Sequence, residues 1–236
     1  MAAEHPIVEL SGETFHNLIP SRFPPVPVFE RIADGRDDLF AQIESITNPR
    51  LLEKERLTRG LRDDRRTDPR FVNWNHAPFA YPNPEGSRFF GSDHKVLELA
   101  ADLQTALAVS VAKRTVFLSR TNEPATAVEM RQLKRPVEGS FLDARSSRFP
   151  ATPEERLALG RKVVDADLDG LLFNPSERPS ANAIVVRPSA QLGNPIQCDH
   201  FKFVWDGRKF TTVYSFGNDK IFQPDRLRDE EQLLAA

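Results

Sequence analysis

Hydrophobic positions repeat with two periods along this chain, and the switches between them mark its elements. The run KVLELA (95–100) reads as a short strand. After it, Leu103, Ala106, Leu107, Ser110 and Val111 recur at helical spacing, which predicts a helix over 102–114. A second helix is predicted at about 37–46, where Leu39, Ile43 and Ile46 share a face and Asp37 can cap the start. A third begins at Thr152-Pro153-Glu154-Glu155, a capping box with a proline in the first turn, and runs to about 165. PVEGSFLDA (136–144), DGLLF (169–173) and AIVVR (183–187) read as strands. FKFVW-DG-RKFTTVYSF (201–216) alternates around Asp206-Gly207, a hairpin signal. Residues 1–28 are Pro-rich and are predicted to lie over the surface, with 21–30 extended or polyproline-like. The charged tail after 217 is predicted to be a short peripheral helix. These elements describe an α+β protein with a mostly antiparallel sheet and helices at its sides. Its expected organisation is an N-terminal segment over 1–70, a main domain over 71–216 and a peripheral tail over 217–236.

Composition refines this picture. A chain of 236 residues is long enough to bury roughly 70% of its extended surface, so a core can form without staples. There are 17 Phe against 2 Tyr and 2 Trp, and the 19 prolines predict much irregular backbone. The segment FVNWNHAPFAYPNPEGSRFF (71–90) is too broken for a regular element and too apolar for a solvated linker. It reads as a core-lining loop or a pocket wall. Residues 53–70 are strongly charged and read as a solvated helix or connection, with a partner-binding surface as the alternative.

With 32 basic and 34 acidic residues, the net charge of −2 supplies no global field for nucleic acid. No run approaches 18 apolar residues, and the start MAAEHPIVEL has neither a basic n-region nor an apolar core. A cytoplasmic protein that contacts neither membrane nor nucleic acid is expected. The single Cys198 excludes an internal disulfide framework, and packing explains it better than nucleophilic chemistry. The chain has no GxGxxG after a strand, no P-loop, no GxSxG elbow and no HExxH. Its five histidines make no ligand pattern, so no metal is expected.

Three pieces remain. Asn83-Pro84-Glu85-Gly86-Ser87-Arg88-Phe89 is a tight turn that delivers an arginine. Leu97 to Val109 is a strand-to-helix unit. Asp169-Gly170-Leu171-Leu172-Phe173-Asn174-Pro175-Ser176-Glu177-Arg178 is a strand that ends in a polar turn. In this order and spacing they resemble the RES domain family, which is named for an Arg, a Glu and a Ser. IPSRFPPVPVFER and FKFVWDGRKFTTVY are similar to segments of its longer members, so the resemblance covers most of 15–216.

The resemblance implies a fold like that of ADP-ribosylating toxins, with a split, mostly antiparallel sheet and a cleft that takes NAD as substrate. It implies cleavage of the nicotinamide–ribose bond by hydrolysis or phosphorolysis, or transfer of ADP-ribose to a protein. It also implies a toxin–antitoxin pair, in which a small helical, Xre-like antitoxin blocks the cleft; self-association into a homo-oligomer is left open. Arg88 matches the family arginine, which can grip the pyrophosphate. Ser176 matches the family serine, which orients the ribose or amide. At the family glutamate this chain has Val109, four residues after Thr105, and at the family tyrosine it has Glu98. Two readings follow. Either Glu98 supplies the carboxylate from the strand and stabilises charge developing on the ribose, or the carboxylate is lost and the domain binds without turnover.

Read from the residues alone, each position has a plainer alternative. Arg88 fits a surface ion pair, and Ser176 fits a turn hydroxyl capping backbone. Glu98 alternates with Leu97 and Leu99, so it faces solvent or a cleft if they face the core. Asn174 and Arg178 flank Ser176 as further NAD contacts, with Arg178 equally suited to a salt bridge. Tyr81, with Trp74 and Phe79, can stack on a ring of the substrate or fill the core. Arg22 and Arg31 lie where the resemblance is looser.

Overall fold

Nine strands join one hydrogen-bonded sheet in the computed structural model, which describes residues 5–21, 35–48, 52, 75, 78–79, 83–145, 149–230 and 233. The strands are β1 (Ile7–Pro20), β2 (Leu97–Ala100), β3 (Thr126–Asp143), β4 (Gly170–Phe173), β5 (Ala183–Val186), β6 (Gln191–Leu192), β7 (Ile196–Trp205), β8 (Phe210–Ser215) and β9 (Lys220–Phe222). Three helices, α1 (Asp37–Thr47), α2 (Leu103–Thr121) and α3 (Pro153–Asp165), and a 3-10 turn over Pro224–Arg228 complete the described elements. The α+β class and the mostly antiparallel sheet are as the sequence implies. Among the described pairings only β3 with β4 is parallel.

The sheet closes on itself and then parts. β1 pairs with β3 along its length, and β4, β5 and β2 continue from β3 back to β1. The last contact is a single pair, His16 opposite Ala100. Beyond it, Asn17–Pro20 and Leu97–Leu99 run without pairing to each other. This gap, flanked by α2, is where the candidate site lies.

Burial follows the pleat. β4 and β5 are buried on both faces, as central strands are. Leu172, Ile184 and Val186 pack with Phe15, Leu99, Val137 and Phe141, while Leu171, Phe173 and Val185 join Phe89, Phe90 and α3. A third cluster joins α2 to Phe201, Phe203 and Trp205, alternate residues of β7.

α3 has the predicted bounds and capping box: Thr152 Oγ1 accepts from Glu155 N and Glu155 Oε2 accepts from Thr152 N, both at 3.2 Å. α2 runs to Thr121, seven residues past the expected end, because Leu118 continues its buried stripe until Asn122 turns left-handed at φ 53°. α1 has its expected place, but Arg36 holds the cap position without a side-chain bond. Leu39, Ile43 and Ile46 are exposed.

The terminal expectations need correction. Residues 7–20 do not lie over the surface; they form β1, which buries Phe15 and Asn17. A bulge at Gly12 (φ +108°) flips the alternation, so Val8 and Leu10 pack inward before it and Phe15 and Asn17 after it. β3 likewise begins ten residues before the predicted strand, because its charged residues hid the alternation. The described part of the tail is more than a short peripheral helix: β9 adds to the sheet edge, and Leu227, in the 3-10 turn that follows, is fully buried. The hairpin loop is four residues, with Asp206 Oδ1 accepting from Arg208 N and Lys209 N. Residues 22–34, most of 49–82, Arg22, Arg31, Trp74 and Tyr81 fall outside the described residues.

One glycine fixes how α3 meets the site. A Cβ on Gly160 would lie 1.9 Å from the Phe89 carbonyl oxygen, beside Arg88. Gly160→Ala is expected to cost about 1–3 kcal/mol through overpacking. Thermal unfolding by circular dichroism reads this as a fall of roughly 2–4 °C per kcal/mol.

Candidate active site

Arg88 is carried to the cleft by a turn that depends on its sequence. Gly86 adopts φ +73°, and a Cβ there would meet the Phe90 carbonyl oxygen at 2.7 Å. Ser87 then closes a small loop around Arg88 and Phe89: Ser87 N donates to Phe90 O at 2.7 Å, and Ser87 Oγ accepts from Phe90 N at 3.2 Å. Phe89 and Phe90 anchor the loop in the core. The Arg88 guanidinium lies beside the neighbouring rings of Phe149 and Phe173, at 5.7 and 5.6 Å from their centroids.

The three residues expected to cooperate meet at this guanidinium. Arg88 Nη1 donates to Ser176 Oγ at 3.3 Å, and Arg88 Nη2 donates to Glu98 Oε1 at 3.2 Å. Two partners were not anticipated. Glu177 Oε1 accepts from Arg88 Nη2 at 3.1 Å, and Ser176 Oγ donates to Glu177 Oε2 at 3.1 Å. Lys113 Nζ, from α2, donates to Glu98 Oε2 at 2.8 Å. Both signals were legible: Glu177 follows the matched serine, and Lys113 lies one helical turn after Val109, on the same face.

This is a charge-balanced cluster of two cations and two carboxylates, and its acids are sheltered. The Glu98 side chain is 9% exposed and Glu177 13%. Burial opposes ionisation of Glu98, but Lys113 and Arg88 outweigh it and hold its carboxyl below the usual carboxylate range. Burial also opposes the Arg88 charge, and Glu98 and Glu177 reverse that, raising its pKa. Glu98 is therefore an ionised acceptor at neutral pH, with one lone pair on each oxygen still unassigned to Arg88 and Lys113.

Two adjacent hollows flank the cluster. The outer, of about 1700 Å³, is bordered by Arg88, Ser176, Glu177, Phe149, Arg120 and Arg156. The inner, of about 650 Å³, lies in the gap between β1 and β2 and is bordered by Asn17, Val109, Arg114 and Arg135. Pro78, Val96, Glu98, Lys113 and Phe117 border both. Val109 and Glu98 thus face the same inner hollow from helix and strand.

Other expected contacts are engaged elsewhere. Arg178 is 6% exposed; its Nη1 donates to Asp102 Oδ1 and Thr105 Oγ1, both at 2.9 Å. Asp102 caps α2 by accepting from Thr105 N at 2.8 Å, so Arg178 ties the serine loop to that helix start. Asn174 Nδ2 donates to Ala181 O at 2.6 Å and closes the same loop. Neither residue borders either hollow. Phe79 is in the core and Pro78 in the cleft wall, so the described part of the 71–90 segment serves both expected roles. Burial pushes the Cys198 thiol pKa up, which disfavours a thiolate.

The model of the RES domain family matches residues 64–206, more than half of the chain and all three converging residues. The chain belongs to the RES domain family. A relative, the uncharacterized protein y4oC of Sinorhizobium fredii (strain NBRC 101917 / NGR234), is 46% identical over 205 residues, covering 86% of this chain and 88% of the relative. The RES match begins after β1 and ends within the β7–β8 loop. The strand that closes the ring and the final sheet edge therefore lie outside it. Among the described residues, no helix is long and apolar enough to cross a membrane.

Proposed function

We propose that this RES domain protein binds NAD and breaks its nicotinamide–ribose bond. The observation that carries this reading is the meeting of Arg88, Glu98 and Ser176, from three distant stretches, at a cleft large enough for a dinucleotide. The C–N bond breaks with its electron pair leaving on the nicotinamide nitrogen, which neutralises the pyridinium. Cationic character grows on the ribose, and the ionised Glu98 stabilises it or accepts from a ribose hydroxyl. Water or phosphate adds at the ribose carbon, and a proton passes to solvent when water is the acceptor. Ser176 orients the ribose or amide. The mostly antiparallel sheet that parts at the cleft supports the likeness to ADP-ribosylating toxins. In a toxin–antitoxin pair, a small helical antitoxin would cover the outer hollow.

Nicotinamide release from NAD by the purified chain, followed by chromatography with and without phosphate, tests this. ADP-ribose as co-product marks hydrolysis, and its 1″-phosphate marks phosphorolysis. Label from NAD appearing on protein marks transfer instead. No release in either buffer and no labelled protein overturn the reading.

Val109 favours a second reading, a RES domain that binds without turnover. Because Val109 and Glu98 border one hollow, Val109→Glu separates the two. Where Glu98 already supplies the carboxylate, a second acid crowds the inner hollow with like charge, and nicotinamide release is expected to fall about tenfold. Activity created in an inert parent would favour the second reading.

A further inference from the structure

Ser176 and Glu177 are the central residues of one turn, closed by Arg178 N donating to Pro175 O at 3.0 Å. The turn is held from both ends: Asn174 bonds to Ala181, and Arg178 bonds to Asp102 and Thr105. Both central side chains border the outer hollow and meet the Arg88 guanidinium. The family resemblance assigns a role to the serine and none to the acid beside it.

Hydrogen-bond polarity fixes what this pair can offer. Arg88 Nη1 can only donate, so one lone pair of Ser176 Oγ is taken by it at 3.3 Å. The single hydroxyl proton goes to Glu177 Oε2 at 3.1 Å. No other hydrogen bond to Ser176 Oγ forms among the described residues, which leaves one lone pair beside the outer hollow. The other Glu177 oxygen accepts from Arg88 Nη2 at 3.1 Å, and a carboxylate can only accept. A serine hydroxyl ordinarily rotates to suit its ligand. Here rotation would take a bond from a carboxylate that is only 13% exposed, which opposes it. The Ser176–Glu177 pair is therefore an acceptor-only set of side-chain oxygens.

The proposed reaction puts the ribose at Glu98, which accepts from Nη2 of the same guanidinium. In NAD that ribose is flanked by a diphosphate and by nicotinamide. At neutral pH the diphosphate only accepts, and an acceptor pair that includes a carboxylate repels it. The nicotinamide carboxamide brings two N–H donors. Nicotinic acid, the same ring with a carboxylate in place of the amide, brings no donor and a second negative charge.

We propose that Glu177 is a positioning residue that sets substrate specificity: by taking the Ser176 proton it makes that hydroxyl an acceptor for the nicotinamide N–H, so the site selects NAD over nicotinic acid adenine dinucleotide. The inference rests on the proposed NAD reading and narrows the role of Ser176 in it to the amide.

Release of nicotinamide from NAD and of nicotinic acid from nicotinic acid adenine dinucleotide, each followed by chromatography with the full chain, tests it. The wild-type kcat/KM is expected to favour NAD at least about a hundredfold. Glu177→Gln, whose amide can donate to Ser176 Oγ and turn the hydroxyl proton toward the ligand, is expected to narrow that ratio at least tenfold. A purely structural role for Glu177 would lower both rates together and leave the ratio unchanged. Ser176→Ala removes the acceptor, is expected to narrow the ratio in the same direction, and serves if Glu177→Gln does not fold.

Equal use of the two dinucleotides by the wild-type chain, or an unchanged ratio in both variants, overturns the inference and leaves the cleavage standing. Failure of the NAD reading looks different. Where neither dinucleotide is cleaved, calorimetric titration of the full chain reads the same preference as a ratio of affinities. Tighter binding of NAD that narrows at least tenfold in Glu177→Gln removes the cleavage and keeps the subsite. Equal affinities, or binding of neither dinucleotide, remove the subsite as well.

Discussion

Arg88→Ala is expected to abolish nicotinamide release and to lower unfolding stability by about 3–5 kcal/mol, because it strips the cation from two sheltered carboxylates. Lys113 still neutralises Glu98, so the stranded charge is chiefly Glu177. Glu177→Gln in the Arg88→Ala background is therefore expected to restore part of the stability and none of the activity. Denaturant unfolding of the two single variants and the double variant measures the coupling. The loss also has a pH signature. The folded-state pKa of Glu98 is depressed, so its contribution to stability is present above its ordinary value of 4.5 and disappears as pH falls through the lower folded value. The wild-type chain should lose this increment on acidification below about pH 4.5, whereas Arg88→Ala should show a smaller acid-dependent loss.

Arg178→Ala is expected to cost about 3 kcal/mol, again by breaking a buried charged contact, but with a different functional consequence. Its removal frees the serine loop from the start of α2 and leaves Asp102 with its bonds from Thr105 N and Thr105 Oγ1. Because Arg178 borders neither hollow, the folded fraction at low temperature should keep the wild-type KM for NAD. A KM raised tenfold with little loss of stability would place Arg178 on the substrate instead. Steady-state kinetics below the transition, paired with thermal unfolding, separates the two.

Local signals were legible where one rule governed a whole element. The capping box at Thr152 and the heptad-like run from Leu103 each predicted a helix correctly, since caps and 3.6-residue periodicity are short-range properties. β1 was not legible, because a single extra residue at Gly12 switches which positions face inward. The matched motifs placed Arg88, Glu98 and Ser176 in one cluster, although they come from a loop, a strand and a turn up to 88 positions apart. Nothing local distinguishes Arg178 from them: whether its guanidinium meets substrate or Asp102 depends on how α2 docks against the serine loop. The same long-range packing brings Lys113 onto Glu98 and leaves Arg114 beside the gap in the sheet, so the cleft's charge balance could not be read before the fold.

Nicotinamide release by Glu98→Gln, compared with the wild-type chain at matched folded concentration, is the most direct measurement. Glutamine keeps the size and an acceptor for Arg88 but carries no negative charge. The expected result is a loss of about 10²–10³ in rate, the scale of removing one group that stabilises transition-state charge. Release at the wild-type rate from Glu98→Gln would contradict the claim that this strand carboxylate stands in for the acid that Val109 replaces.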